Sequence, residues 1–184
     1  MALDDVDQVV AVEKLCFPLP WPAQTYRRDL SYNGPARYLV VEQVPPSARG
    51  NPRVVGFCGY WLIEDEAHVS TIGVHPDFRG LGLGEYLFAS LLAEAMERRA
   101  TSATLEVRLS NLTAQRLYRK YGFEPTGRRR RYYRDNHEDA LLMGVDSIDG
   151  EAYAARFDAL WRNLMQRLAR SPTPDKNPAA GAAS

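Results

Sequence analysis

The spacing of hydrophobic positions changes along the chain, and each spacing predicts a different element. Valines recur at helical intervals within residues 4–15, which predicts an amphipathic helix. Three prolines within residues 18–22 must end that helix. The last of them suits the first turn of a second, short helix over residues 23–30.

The next part of the chain is rich in β-branched and aromatic residues. Three such runs, at 37–42, 54–63 and 67–74, predict strands, and their close spacing favours an antiparallel meander. The segment 44–52 is rich in Pro, Ser and Gly and predicts a surface loop. A helix is then predicted over residues 85–99, because its apolar residues fall on one stripe.

The rest of the chain alternates in the same way. We predict a strand at 103–108, a helix at 113–121 that ends at a glycine, and strands at 123–133 and 139–145. The expected fold class is therefore α/β. We divide the chain into a main domain at 1–147, an amphipathic helix at 148–170 and a disordered tail at 171–184. The apolar stripe of that last helix either covers the domain or mediates self-association.

The composition excludes several classes of protein. Hydrophobic residues make up 45% of the 184 residues, which favours a globular chain. The 23 Lys and Arg balance the 23 Asp and Glu, which argues against a nucleic-acid-binding protein. No apolar run approaches the roughly 20 residues that span a membrane. The two cysteines, Cys16 and Cys58, fit neither a disulfide framework nor a zinc site, so we expect no metal and a cytoplasmic protein.

A glycine-rich segment, Arg79-Gly80-Leu81-Gly82-Leu83-Gly84, lies between a predicted strand and a predicted helix. Backbone N–H groups there can bind a phosphate at the positive end of the helix dipole. The segment is not a Walker loop, because it ends in Gly-Glu rather than Gly-Lys-Ser/Thr. It is not a dinucleotide fingerprint either, because its glycines read G-x-G-x-G after a meander. The glycines alone fit a tight turn without a ligand equally well.

Together with Val74, this segment resembles the acetyl-coenzyme A signature of the GCN5-related N-acetyltransferase (GNAT) superfamily. The order of the flanking elements resembles that fold as well, a mixed and mostly antiparallel sheet flanked by helices. The resemblance implies that the loop binds the coenzyme pyrophosphate and that the preceding strand pairs with pantetheine and the acetyl group. The implied residues are Ile72, Gly73, Val74, Arg79, Gly80, Leu81, Gly82, Leu83 and Gly84.

A second set of motifs narrows the family. L-E-V-R-L-S-N ends at Asn111, L-Y-R-K-Y-G-F covers 117–123, and E-D-A-L-L-M covers 138–143. This set resembles the RimI-type ribosomal-protein-alanine N-acetyltransferases over about residues 4–146. The resemblance implies acetyl transfer from acetyl-CoA to a protein N-terminus, the N-terminal alanine of the eighteenth small-subunit ribosomal protein. Acetylation of lysine side chains or small amines, and a non-catalytic acyl-coenzyme A sensor, are the alternatives.

Such a transfer needs a base for the attacking amine and an acid for the departing thiolate. On its predicted strand Glu106 points away from Leu105 and Val107, and burial among apolar neighbours could raise its pKa. From the residues alone, a surface pair between Glu106 and Arg108 is the other interpretation. The resemblance assigns the base to Glu106, acting through a water molecule.

Tyr118 in the following helix and Asn111 just before it each allow two interpretations. Tyr118 is either a core aromatic or, as the resemblance implies, the acid that protonates the coenzyme sulfur. Asn111 can cap the helix, and the resemblance implies that it also contacts the coenzyme.

The substrate side is predicted from aromatic segments. The resemblance places Phe17 and Trp21 on one side of a peptide groove, with Tyr132 and Tyr133 on the other, although the first two could simply pack on the core. The arginine run 128–131 fits a solvated strand better than an RNA-binding patch, because alternate strand residues point to opposite faces. An α-amine, with a pKa of about 7.7–8.0, also needs a weaker base than lysine at about 10.4.

The start of the chain departs from the family pattern. Members of this fold begin with a strand before the first helix, whereas residues 1–5 resemble the sequence that follows that strand. We therefore expect the first strand to be absent, either because the start is assigned late or because the strand is dispensable. We also expect a monomer or weak dimer without a membrane partner.

Overall fold

A computed structural model describes residues 1–32, 34–44 and 52–170 of the chain. Five helices flank a six-stranded sheet with the order β1-β2-β3-β4-β6-β5. The strands are β1 (Ala36–Gln43), β2 (Arg53–Ile63), β3 (Glu66–Val74), β4 (Ser102–Arg108), β5 (Glu124–Tyr133) and β6 (Glu138–Asp146). The helices are α1 (Val6–Cys16), α2 (Ala23–Ser31), α3 (Leu83–Glu97), α4 (Leu112–Lys120) and α5 (Glu151–Arg170). Most of the predicted loop 44–52 and the whole predicted tail 171–184 lie outside the described residues.

The pairing of the strands confirms the predicted fold class. β1, β2 and β3 form the expected antiparallel meander, and among the described strands only β3 and β4 pair in parallel. The first two helices precede the sheet, and residues 1–32 hold no strand, as expected from the sequence. β1 and β5 therefore form the two edges of the described sheet.

Two hydrophobic clusters cover opposite faces of the sheet. Tyr38 on β1 packs with residues of α1 and α2, whereas its neighbour Leu39 packs with the cluster that contains α3 and α5. This division follows from the strand geometry, because successive side chains point to opposite faces. The α1 and α2 cluster is confined to the part of the sheet around β1 and β2, and its other members are Val6, Val9, Val12, Tyr26, Val54 and Phe57.

The C-terminal helix α5 packs against this domain, as one of the two interpretations of its apolar stripe expects. Leu164 is fully buried and Phe157 is nearly so. The Tyr153 hydroxyl donates over 3.0 Å to the carbonyl of Tyr121, the residue that follows α4. The stripe therefore covers the domain.

Replacing Leu164 by alanine should lower the free energy of unfolding by about 2–5 kcal/mol, because the change leaves a cavity under α5. Urea denaturation of the purified protein measures this loss. The matched variant Leu15→Ala, at a position that is 53% exposed on α1, should cost less than about 1 kcal/mol. A Leu164 variant as stable as the wild type would contradict the docked position of α5.

Strands β3 and β4 diverge, and this divergence positions the site. Their parallel ladder runs only from Glu66 and Ser102 to Val69 and Leu105. A register irregularity in the β2–β3 ladder occurs at the same level, beside Ser70. Beyond it, the edge of β3 that faces β4 has no strand partner among the described residues, and a cleft opens between the two strands.

Candidate active site

A cleft of about 410 Å³ opens where β3 and β4 diverge. The loop between α1 and α2 forms one wall, and the turn between β5 and β6 forms the other. Eight of the residues predicted from the sequence line it: Phe17, Trp21, Ile72, Glu106, Asn111, Tyr118, Tyr132 and Tyr133. The other predicted coenzyme residues, Gly73, Val74 and the loop 79–84, are not among its lining residues. They continue from it along β3 toward the start of α3.

The glycine loop has the backbone of an anion site. Gly80 and Gly82 have φ angles of +79° and +85°, in the left-handed region that favours glycine. Gly82 is the N-cap of α3, and no side chain caps its first turn. The helix therefore begins at Leu83, two residues earlier than predicted, and its first N–H groups lack a side-chain acceptor. A Cβ atom at Gly80 would meet nothing within 4 Å apart from its chain neighbours, whereas one at Gly82 would lie 3.1 Å from the Leu168 side chain, so the loop is open at Gly80.

Residues 72–74 present a free strand edge beside the cleft. On one side Ile72 and Val74 lie opposite Cys58 and Gly56 of β2. On the other side β4 has already diverged. The Val74 carbonyl accepts from the Cys16 thiol at 3.3 Å and from Arg79 Nε at 3.2 Å. The remaining edge is suited to an extended ligand that pairs as a strand would.

Glu106 projects from β4 into the cleft as a nearly buried carboxylate, with 7% of its side chain exposed. His68 Nε2 lies 3.1 Å from one carboxylate oxygen, and Arg129 Nη1 lies 2.8 Å from the other. The hydrogen bond between Glu106 and His68, aided by the charge of Arg129, holds the pKa of Glu106 below its usual value although burial acts in the opposite direction. The expectation that burial raises this pKa is therefore wrong.

The alternative surface pair between Glu106 and Arg108 does not form. Arg108 instead donates to both carboxylate oxygens of Asp135 at 2.9 Å and to Glu138 at 3.1 Å. Its guanidinium also lies 3.9 Å from the centre of the Tyr133 ring. Arg108 thus attaches the turn between β5 and β6 to β4 and holds one wall of the cleft in place.

Tyr118 faces the cleft from α4 and packs on the core at the same time. Its ring centre lies 4.9 Å from that of Phe88 and 6.2 Å from that of Phe123. Burial raises the pKa of the Tyr118 hydroxyl, so the phenol keeps its proton at neutral pH. Asn111 caps α4 as predicted, since its Oδ1 accepts the Ala114 N–H at 3.1 Å.

The other wall of the cleft is an aromatic stack. The Trp21 ring stacks on Trp61 at 6.2 Å, and Trp61 stacks on His68 at 5.7 Å. Phe17 packs edge-on against Phe57 at 6.5 Å, so the Phe17 and Trp21 rings both pack on neighbouring aromatics and line the cleft.

The buried residue Glu13 holds the loop between α1 and α2. It accepts from the Tyr26 hydroxyl at 2.8 Å and has a further hydrogen bond with the Trp21 backbone. Burial raises the pKa of Glu13.

The sequence interpretation missed His68 and Trp61 and gave Arg129 no role at the site. The alternation of side chains along a strand could have indicated His68. Glu66 and His68 share one face of β3, just as Thr104 and Glu106 share one face of β4. Arg129 lies in the arginine run. It points to the cleft while its neighbour Arg128 pairs with Asp139, so the expected alternation holds for these two.

Among residues 1–32, 34–44 and 52–170, no three His, Cys, Asp or Glu side chains are arranged to hold a metal ion. No helix in the same ranges is both long and apolar enough to cross a membrane.

Comparison with known proteins identifies the family. Residues 6–123 match the acetyltransferase (GNAT) family. Over 145 residues the chain is 41% identical to a putative ribosomal protein bS18-alanine N-acetyltransferase of Bacillus subtilis, covering 79% of this chain and 91% of that protein. It is 38% identical over 134 residues to the N-alpha-acetyltransferase RimI of Mycobacterium tuberculosis, covering 71% and 78%.

A solved structure agrees with these relatives. The crystal structure of the ribosomal-protein-S18-alanine N-acetyltransferase from Escherichia coli superposes with a TM-score of 0.68 at 28% identity, covering 80% of this chain and 90% of that one. The chain therefore belongs to the GNAT family of acetyltransferases and is an N-acetyltransferase of the RimI type.

Proposed function

We propose that the protein transfers the acetyl group of acetyl-CoA to the N-terminal α-amino group of a protein. The observation that carries this proposal is that Glu106 and Tyr118 both line one cleft, beside the free edge of β3. The relatives in Bacillus subtilis and Escherichia coli are described as acting on ribosomal protein bS18. We therefore propose its N-terminal alanine as the substrate and the cytoplasm as the compartment.

The residues present fit the coenzyme. Acetyl-CoA supplies the acetyl group as a thioester, bound through its pyrophosphate and pantetheine. The uncapped first turn of α3 and the glycines at 80 and 82 suit the pyrophosphate, because their N–H groups and the helix dipole favour an anion. The free edge of β3 at 72–74 suits pantetheine, and Asn111 borders the cleft beside it.

Glu106 and Tyr118 then have complementary tasks. Glu106 accepts a proton from the peptide ammonium through a water molecule, and the neutral amine attacks the thioester carbonyl directly. Tyr118 donates its proton to the departing sulfur, and the proton that the attacking nitrogen loses as the amide forms restores the phenol. No covalent intermediate with the enzyme forms, and both reactants occupy the cleft together.

The walls of the cleft suit an extended peptide terminus. Trp21 and Phe17 on one side face Tyr132 and Tyr133 on the other. Rigid aromatic walls bind a few residues of extended backbone with little loss of side-chain entropy. A carboxylate with a lowered pKa is a weak base, which favours an α-amine of pKa about 7.7–8.0 over lysine at about 10.4.

The wild-type protein should acetylate a peptide that carries the bS18 N-terminal sequence, and only at its α-amine. Mass spectrometry after incubation with acetyl-CoA measures the transfer, and fragmentation locates the added group. Three acceptors act as controls: the same peptide with a blocked N-terminus, a blocked peptide with an internal lysine, and spermidine. Transfer to lysine or spermidine in preference to the free N-terminus would contradict the proposal in favour of the second class of substrate.

A further inference from the structure

His68 lies beside Glu106 and takes no part in the proton transfers proposed for Glu106 and Tyr118. Its Nε2 is 3.1 Å from Glu106, and its Nδ1 is 3.0 Å from the Thr104 hydroxyl. The imidazole side chain is 24% exposed, compared with 7% for Glu106. Of the two, His68 is therefore the group with better access to solvent.

A row of polar side chains extends from this pair to the surface. Thr104 lies opposite His68 in the parallel ladder, and its hydroxyl donates to Glu66 over 2.6 Å. Glu66 is exposed. The row Glu106, His68, Thr104 and Glu66 results from alternate positions of β3 and β4 that share one face.

The hydrogen bonds define where the ring carries its proton. A threonine hydroxyl has one proton, and in this row it is used toward Glu66. Thr104 must then accept from His68, so Nδ1 of the neutral ring is the donor. Nε2 is left with its lone pair directed at the Glu106 carboxylate, and one additional proton between them satisfies both groups.

The reaction supplies such a proton. Converting a peptide ammonium and a thioester into an amide and a thiol releases one proton overall. Nε2 of His68 lies 3.1 Å from the Glu106 carboxylate, so its lone pair can take up the proton that Glu106 accepts. An imidazolium at this position would donate to Glu106 and to Thr104 together.

We propose that His68 is a positioning and proton-relay residue that takes the amine's proton from Glu106 at Nε2 and releases it to solvent. Thr104 holds the ring in the accepting tautomer, and Glu66 fixes the Thr104 hydroxyl. Each transfer breaks one O–H or N–H bond and forms another, so no other reactant is required. This inference rests on the proposed function of Glu106.

Three variants test the relay. His68→Ala, His68→Gln and Thr104→Val should each lower kcat by about 10- to 100-fold, with the KM for acetyl-CoA within about twofold. Glutamine can still donate to Glu106, so its low rate separates proton transfer from hydrogen bonding. Imidazole added to His68→Ala should restore turnover, and imidazoles of equal size but lower pKa should restore less. The control Asp158→Asn, at an exposed position on α5 away from the cleft, should keep the wild-type rate.

A measurement without turnover separates this inference from the proposed function. Nitrogen-15 NMR of histidine-labelled protein, assigned with His68→Gln, should show the neutral His68 ring protonated at Nδ1 in the wild type and at Nε2 in Thr104→Val. A wild-type ring protonated at Nε2, an unchanged kcat in His68→Gln, or rescue independent of imidazole pKa would each overturn the relay. Failure of the wild type to acetylate a peptide N-terminus would instead contradict the proposed function.

Discussion

Replacing Glu106 by glutamine should lower kcat by about 10²- to 10⁴-fold, the usual contribution of a general base. Glutamine keeps the size of the side chain but cannot accept the amine's proton. The KM for acetyl-CoA should stay within about twofold, because Glu106 lies on β4 whereas most of the proposed coenzyme contacts lie on β3 and in the glycine loop. Steady-state acetylation of the peptide at several acetyl-CoA concentrations measures both constants.

The matched control for this change is Glu97→Gln. Glu97 is an exposed residue at the end of α3, and its conversion to an amide should leave kcat unchanged. Wild-type turnover in Glu106→Gln would exclude Glu106 as the base. Loss of coenzyme binding rather than of turnover would assign it a binding role instead.

Replacing Tyr118 by phenylalanine should lower kcat by about 10²-fold or more, since the departing thiolate loses its acid. Only the hydroxyl is removed, and the ring keeps its contacts with Phe88 and Phe123. The free energy of unfolding should therefore change by less than about 1 kcal/mol. Acetylation rates and urea denaturation of the same preparation measure the two effects together.

An acetyl donor with a more acidic thiol distinguishes an acid role of Tyr118 from a structural role. Such a thiol leaves readily as a thiolate, so Tyr118→Phe should lose less activity with this donor than with acetyl-CoA. Tyr32→Phe, at a position that is 72% exposed, is the matched control and should behave as the wild type. Equal losses with both donors would contradict protonation of the sulfur by Tyr118.

The order of helices and strands was predictable because each element carries its own periodic pattern. The meander, the loop before α3 and the C-terminal helix all occur where the patterns place them. The ends of elements shift by one to three residues. α3, for example, starts at Leu83 because the backbone of Gly82 supplies the turn that precedes the first helical residue.

The electrostatics of the site were not predictable from these patterns. The pKa of Glu106 depends on His68, which is 38 positions earlier in the sequence and adjacent only because β3 and β4 pair in parallel. Burial alone would have raised this pKa, and the local sequence contains no sign of His68 and Arg129, the two residues that lower it. Likewise, nothing in the arginine run distinguishes Arg129, which reaches the carboxylate, from its neighbours.

The divergence of β3 and β4 has a consequence for how such a protein can change over evolutionary time. On the β3 side the proposed donor site consists largely of main-chain atoms of a strand edge and a helix start. On the opposite walls the proposed acceptor site consists of side chains, including Trp21, Tyr132 and Tyr133. Substitutions can therefore alter which amine is accepted while the acetyl donor stays the same. Changes in acceptor specificity therefore need not alter the acetyl-transfer chemistry that all variants share.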